Sequence, residues 1–206
     1  MHHTAFSQRE RNRIETWNAI HQAASTMVIS DGPGAATIEA IAAHAGISRR
    51  TFFNYFASKE DAVLGTQAPE VTDHAVEQFR NGDEDELSRV VHLFVAVLRT
   101  SLPVHTAPRR REVVRAHPHL RQRIHQLLAE VEKLVTDVIR VRMDEGKDVA
   151  LGSPTSDEGH LEALLMLAGV ITKYAFARYH ESTEEDVTVF LPEAIAVFRK
   201  VVASTR

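Results

Sequence analysis

Residues 37–59, TIEAIAAHAGISRRTFFNYFASK, constrain the fold of this chain more than any other stretch. Ile38, Ile41, Ala42 and Ala45 are spaced i, i+3, i+4, i+7, which predicts a helix that buries one face. Gly46 then interrupts it, as a left-handed helix stop or a tight turn requires. Ser48 is a good N-cap for a second helix, its hydroxyl accepting from first-turn amides. That helix can bury Ile47, Phe52 and Phe56, while Ser48, Arg49, Arg50, Thr51, Asn54 and Tyr55 occupy its other side. Two short helices joined by a glycine turn, the second bearing arginines and small polar groups, read as a DNA-binding helix-turn-helix.

Composition is compatible with that reading. The 206 residues suffice for one domain or two small ones with a real core. No cysteine is present, which excludes a disulfide, a thiol nucleophile and a thiolate metal site and fits a reducing cytoplasm. The N-terminal MHHTAFSQRERNR has no apolar signal core. The most apolar stretch, residues 163–171, falls short of the roughly 20 residues that span a bilayer. A cytoplasmic location is expected, with no membrane partner. The net charge of −4 argues against a polyanion partner until its distribution is considered. Residues 1–59 hold six Lys/Arg against four Asp/Glu, a net +2, which leaves −6 on the remainder. A small basic module on an acidic body suits DNA contact through one end only.

Elsewhere the pattern is helical throughout, without strand-like alternation or an internal repeat. Residues 1–8 read as disordered, and a first helix over residues 8–30 carries the stripe Trp17, Ile20, Ala24, Met27 and Val28. Residues 31–34, DGPG, end it. Ser58 caps a fourth helix running through Leu64, with acids in its first turn. Gly65 and Pro69 predict a kink or break before helix resumes to Phe79. Further helices are expected over residues 85–100 and 109–116, from Pro118 to 144, over 156–180, and from a cap at residues 183–186 to Ala203. Residues 146–154 read as a flexible loop. The predicted architecture is all-α: a three-helix DNA-binding head at residues 1–57 and a larger helical body at residues 58–206.

The run TIEAIAAHAGISRRTFFNYFASKEDAV resembles the DNA-binding signature of tetracycline-repressor (TetR) family regulators. The threonine opening the first helix, the Ile-Ala pair, Ala-Gly-Ile-Ser at the turn, the aromatic-rich second helix and Phe-x-Ser-Lys-Glu carry the likeness, which covers about residues 9–66. The resemblance implies that Arg49, Arg50 and Asn54 face the major groove, where arginine can pair with guanine and asparagine with adenine. Thr51 would meet a thymine methyl or a phosphate. Thr37, Ser48, Tyr55 and Lys59 match positions that hold phosphates and set register. Phe53 lies where the family often has tyrosine, so one phosphate contact is lost with the hydroxyl. Arg9, Arg11 and Arg13 either reach phosphates or form a solvated basic end.

The resemblance also implies a homodimer, a palindromic operator and a small-molecule effector, with repression as the default output. The helix over residues 156–180 is apolar on more than one side, as is expected of a buried helix. Leu161, Leu164, Ala168, Ile171 and Ala175, with Leu191, Ile195 and Phe198 of the last helix, are assigned to the dimer interface; an ordinary monomer core is the alternative. Phe94, Leu98, Leu128, Val131, Met166, Val170 and Tyr174 are assigned to an effector pocket, with plain core packing as the alternative for each. The basic run Arg109, Arg110, Arg111 with Arg115 is either a solvated face or a phosphate site for an anionic effector such as an acyl-CoA. His105, His117, His119 and His125 are the densest histidines; Pro118 should make His117 and His119 point apart, so no metal is assigned. No cofactor is expected. No enzyme motif occurs: neither a Gly-rich phosphate loop nor His-Glu-x-x-His nor Gly-x-Ser-x-Gly. A helical ligand carrier or scaffold that does not bind an operator is the competing function.

Overall fold

The computed structural model describes residues 7–144, 158–184 and 186–204; the disorder expected over residues 1–8 lies outside them up to residue 6, while Ser7 and Gln8 are ordered as the cap and first residue of a helix, and the loop expected at 146–154 lies outside them. Every described element is an α-helix or a 3-10 turn, and no strand occurs among the described residues. The chain forms two compact units.

The first unit takes in Met1–Gln67 and His105–Arg123. Helix α1 (Gln8–Asp31) opens with a capping box: the Ser7 hydroxyl accepts from the Glu10 amide and the Glu10 carboxylate accepts from the Ser7 amide. It buries Ile20, Ala24 and Val28 against α2 (Ile38–His44) and α4 (Lys59–Leu64). Helix α3 (Arg49–Phe53) contributes Phe52, which is fully buried, and Phe56 follows it into the core, its ring 5.2 Å from that of Trp17. Burying one such aromatic side chain stabilises the unit by roughly 1.5–3 kcal/mol. Ser58 caps α4, and Gly65 at φ +64 ends it in the left-handed conformation. No helix resumes until Asp73, so of the expected kink or break the chain makes a break.

Helix α4 is also tied down by polar groups. The buried His21 ring of α1 donates from Nδ1 to the Ala62 carbonyl at 2.8 Å. Helix α7 (Ala107–Ala116) supplies Arg110, which is 1% exposed and donates to the Thr106 hydroxyl at 2.7 Å and to the Leu64 carbonyl at 3.5 Å. Buried Asp61 accepts from Arg123 at 2.7 Å and from Thr66 at 2.8 Å. The expected boundary after residue 57 therefore does not coincide with an edge of this unit, because residues 58–67 and 105–123 pack with α1.

The second unit takes in Ala68–Val104 and Ile124–Arg206. It holds α5 (Asp73–Asn81), α6 (Glu86–Ser101), α8 (Arg121–Asp144) from Ile124 onward, α9 (Glu158–Glu181), a 3-10 turn at Val187–Phe190 and α10 (Leu191–Ser204). Thr72 and Asp85 cap α5 and α6. Helix α6 packs on α9 and α5, and α10 packs on α9. The core is hydrocarbon: Val90, Phe94, Val97 and Leu98 from α6, Leu127, Val131, Val135 and Ile139 from α8, and Ala168, Ile171 and Ala175 from α9. The apolar run at 163–171 lies in a helix whose Gly159–Glu181 stretch is long and apolar enough to cross a membrane, but half of its most apolar window is buried inside the protein.

The rotational setting of α9 places its two apolar faces differently from the sequence-based expectation within the single chain. Leu161, Leu164, Ala168, Ile171 and Ala175, expected to meet a second copy, are buried within the chain, as are Leu191 and Ile195 of α10. Met166 and Val170, expected to wall an internal pocket, are 61% and 47% exposed. Val201 and Val202 on α10 are likewise exposed. Side chains four apart share a helix face, so Met166 and Val170 cannot turn inward while Ala168 and Ile171 stay in the core.

Candidate nucleic-acid interface

The geometry of α2 and α3 follows from three cap residues. The Thr37 hydroxyl accepts from the Ala40 amide at 3.1 Å and fixes the start of α2. At its end, the amides of Gly46 and Ile47 bond back to the carbonyls of Ala43 and Ala42, at 3.2 and 2.9 Å. Gly46 sits at φ +68, where a side chain would be strained. The Ser48 hydroxyl accepts from the Thr51 amide at 3.0 Å and starts α3.

Helix α3 proper is only five residues long, so two expected members of its outer face lie past its end: Asn54 is the C-cap and Tyr55 is in the following turn. Arg49, Arg50 and Asn54 are exposed, as are Thr37 and Ser48; Thr51, Tyr55 and Lys59 are half-buried. All eight expected DNA contacts thus belong to one unit and none is sealed in its core. The Thr51 hydroxyl is engaged with that of Ser48 at 2.8 Å. The Lys59 ammonium donates to the Pro33 carbonyl at 3.2 Å, which leaves it further protons for a phosphate.

Two further residues shape this face: Glu39, which the sequence did not assign to it, and Phe53, which was expected there only as a lost phosphate contact. Glu39, in the first turn of α2, pairs with Arg49 at 3.2 Å. Phe53 places its ring 5.8 Å from the Arg49 guanidinium carbon. The i, i+4 spacing of Arg49 and Phe53 is readable in the sequence; the approach of Glu39 depends on the turn between two helices and is not.

The other expected sites are dispersed. Of the pocket residues, Phe94, Leu98, Leu128 and Val131 are buried core, and Tyr174 is half-buried with its ring edge-on to Phe198 at 5.7 Å. A cavity of about 600 Å³ in the second unit lies elsewhere, lined by Phe79, Arg89, His92, Leu93, Arg99 and Leu191 among others. The basic run is no anion site: Arg110 and Arg111 are buried, and Arg109 binds the Ser25 and Thr26 hydroxyls at 3.2 and 2.7 Å. His117 and His119 do not point apart as expected; their rings meet edge-on at 6.0 Å, and His117 donates to the Val28 carbonyl. Among the described residues no three His, Cys, Asp or Glu side chains converge as a metal would need.

Residues 20–64 match the family model of bacterial regulatory proteins of the tetR family. No curated protein matches the chain. Among solved structures, the fatty acid degradation regulator FadR from Bacillus halodurans is similar at 17% identity, over 86% of this chain and 91% of that one, with a TM-score of 0.33. Salmonella enterica GusR is similar at 15% identity, over 89% and 95%, also with a TM-score of 0.33. The matched segment ends at the last residue of α4 and contains all of α2 and α3 with their caps. The helix-turn-helix of this chain is thus similar to that of bacterial regulatory proteins of the tetR family over residues 20–64, and an all-helical body follows it.

Proposed function

We propose that this chain is a transcriptional repressor that binds a palindromic operator as a homodimer and is released by a small hydrophobic or acyl effector. The observation that carries the proposal is the capped helix-turn-helix with Arg49, Arg50 and Asn54 uncovered on one unit. In this reading Arg49, Arg50 and Asn54 contact base edges, while Thr37, Ser48, Thr51, Tyr55 and Lys59 hold the phosphate backbone. A two-fold dimer sets two such helices in successive major grooves, about 34–36 Å apart, which is why a palindrome is proposed.

The dimer is proposed through the uncovered side of α9 and α10. Ala163, Met166, Val170 and Ala177 are exposed at helical spacing on α9, and Val197, Val201 and Val202 are exposed on α10. Large apolar side chains exposed on two packed helices call for a cover. The functional division into a DNA-binding part, residues 1–57, and an effector and dimer part, residues 58–206, belongs to the same proposal. The effector enters the body either by parting the layer of Phe94, Leu98, Leu128 and Val131 or at the cavity beside Phe79 and Leu93. To act as an inducer it has to bind the DNA-incompetent state better, and a nearly complete switch takes about 5.5 kcal/mol of difference. Linkage then requires operator DNA to weaken effector binding by the same factor.

The test is a gel shift with the DNA upstream of the chain's own gene, paired with sedimentation of the free protein. A salt-sensitive shift by a dimer supports the proposal. A dimer that shifts neither this DNA nor any duplex selected from a random library would favour the ligand carrier instead.

A further inference from the structure

We infer that Glu39 and Phe53 are specificity-determining positioning residues, holding the Arg49 guanidinium so that it reads one base pair in each half-site. The inference rests on the proposal that α3 faces DNA and deepens it.

Arg49 is the first residue of α3 and its side chain is 65% exposed. A free arginine there samples many rotamers and can satisfy itself on any phosphate within reach, which adds affinity without sequence information. Arg49 is instead held on two sides. Glu39 takes Nη1 at 3.2 Å from the neighbouring helix. The Phe53 ring, one turn along α3, lies 5.8 Å from the guanidinium carbon, within the range at which a cation is attracted to an aromatic face. Phe53 is itself set by the core: its ring meets that of Phe52 edge-on at 5.5 Å, and Phe52 is fully buried. The chain of contacts therefore runs from the buried centre of the unit, through an aromatic ring that is 46% exposed, to a charged fork on the surface.

Neither contact is explained by stability. An exposed ion pair contributes little to folding, and a carboxylate at the N-terminal turn of α2 gains from the helix dipole without Arg49. A phenyl ring that is nearly half exposed on the face meant for a polyanion serves the core poorly. On a DNA-binding surface, a carboxylate also repels phosphates. Its use is to occupy the arginine until a stronger, bidentate acceptor such as the guanine O6/N7 edge is offered in register.

This separates two effects that are easily confused. Loss of the Glu39 charge alone should strengthen binding to every sequence alike. Loss of positioning should lower discrimination at one base pair and leave the others unchanged. The experiment selects a duplex from a random library with the wild-type protein, then measures affinities for all single-base variants of that duplex and for a scrambled one. Arg49→Ala should abolish discrimination at one base pair per half-site. Glu39→Gln and Phe53→Leu should each lower discrimination about two- to fivefold at that same pair, the scale of an exposed ion pair or cation–π contact. In the Arg49→Ala background, Glu39→Gln should change no base preference further. Both side chains are exposed, so the substitutions leave the core intact. Base preferences unchanged in Glu39→Gln and Phe53→Leu, or altered at pairs other than the one Arg49 reads, overturn the inference while DNA binding stands. If the wild type selects no common sequence, the DNA reading fails and the inference fails with it.

Discussion

Helices α2 and α3, the outward Phe53 apart, bury their large apolar residues on one side; α9 carries apolar residues on both. In the first pair, Ile41 and Ala42 face inward with Phe52, and Glu39, His44, Arg49 and Arg50 face water. Polarity alone fixes which way each helix turns. In α9, Leu164, Ala168, Ile171 and Ala175 lie inside, yet Ala163, Met166, Val170 and Ala177 on the outside are no more polar. A helix with two apolar faces has two sides to cover, and among the described residues only one of them is packed. The two units differ in a second way: α4 is tied into the first by His21, Arg110 and the Asp61–Arg123 pair, whereas the core of the second is almost entirely hydrocarbon.

The sharpest way to break this contrast is to place a charge on each face of α9. Ala168 has no exposed surface, so Ala168→Glu buries an unpaired ion in close packing and should cost more than about 4 kcal/mol, enough to unfold a marginal domain. Val170→Glu, two residues away, should melt like the wild type but sediment as a monomer and lose operator affinity. A folded Ala168→Glu monomer beside an unaffected Val170→Glu dimer would reverse the two faces.

The next largest effect belongs to the polar joint of the first unit. Arg123→Ala strands the Asp61 carboxylate, whose side chain is 7% exposed, and should lower stability by roughly 3 kcal/mol in urea melts. A smaller loss would mean that Thr66 and Ser58 hold that charge without the arginine.

His21 gives a comparable effect that depends on pH. Burial lowers its pKa from the ordinary 6.5 to about 4, partly offset by the bond to Ala62 and reinforced by Arg110, His105 and Arg109. The unfolded chain takes up this proton near pH 6.5 and the folded one only near pH 4, so the unfolded state binds more protons in between. Stability contributed by neutral His21 is complete above pH 6.5 and is lost as pH falls towards 4, by up to roughly 3 kcal/mol. Chemical melts over that range should show the slope in the wild type and a shallower one in His21→Gln.

The smallest effect is at the surface of the helix-turn-helix. Thr37→Ala removes the α2 cap and should cost about 1 kcal/mol. Thermal melts of this variant should show a shift of a few degrees, with α3 still formed.

The legible parts of the molecule are those whose causes are local. Thr37, Gly46, Ser48 and Ser58 act within a few residues of themselves, so the starts of α2, α3 and α4 and the stop of α2 could be read directly, whereas the early end of α3 at Phe53 could not. The rotation of α9 could not, because its two apolar faces are equivalent until the positions of α6 and α10 are known. Arg110 and Arg111 look like a solvated or phosphate-binding run in the sequence. One partner of Arg110, the Leu64 carbonyl, lies 46 residues away, and nothing in the local pattern announces it. Glu39 escaped for the same reason, since its contact to Arg49 is made across the turn at Gly46.

The central claim, that the α3 face reads DNA, is tested most directly by comparing Arg49→Ala and Lys59→Ala on a library-selected duplex and on random duplex. Arg49→Ala should lose about tenfold or more on the selected duplex and much less on the random one. Lys59→Ala should weaken both alike and flatten the log–log salt dependence by about one unit. Equal losses on both duplexes for both variants would contradict the account.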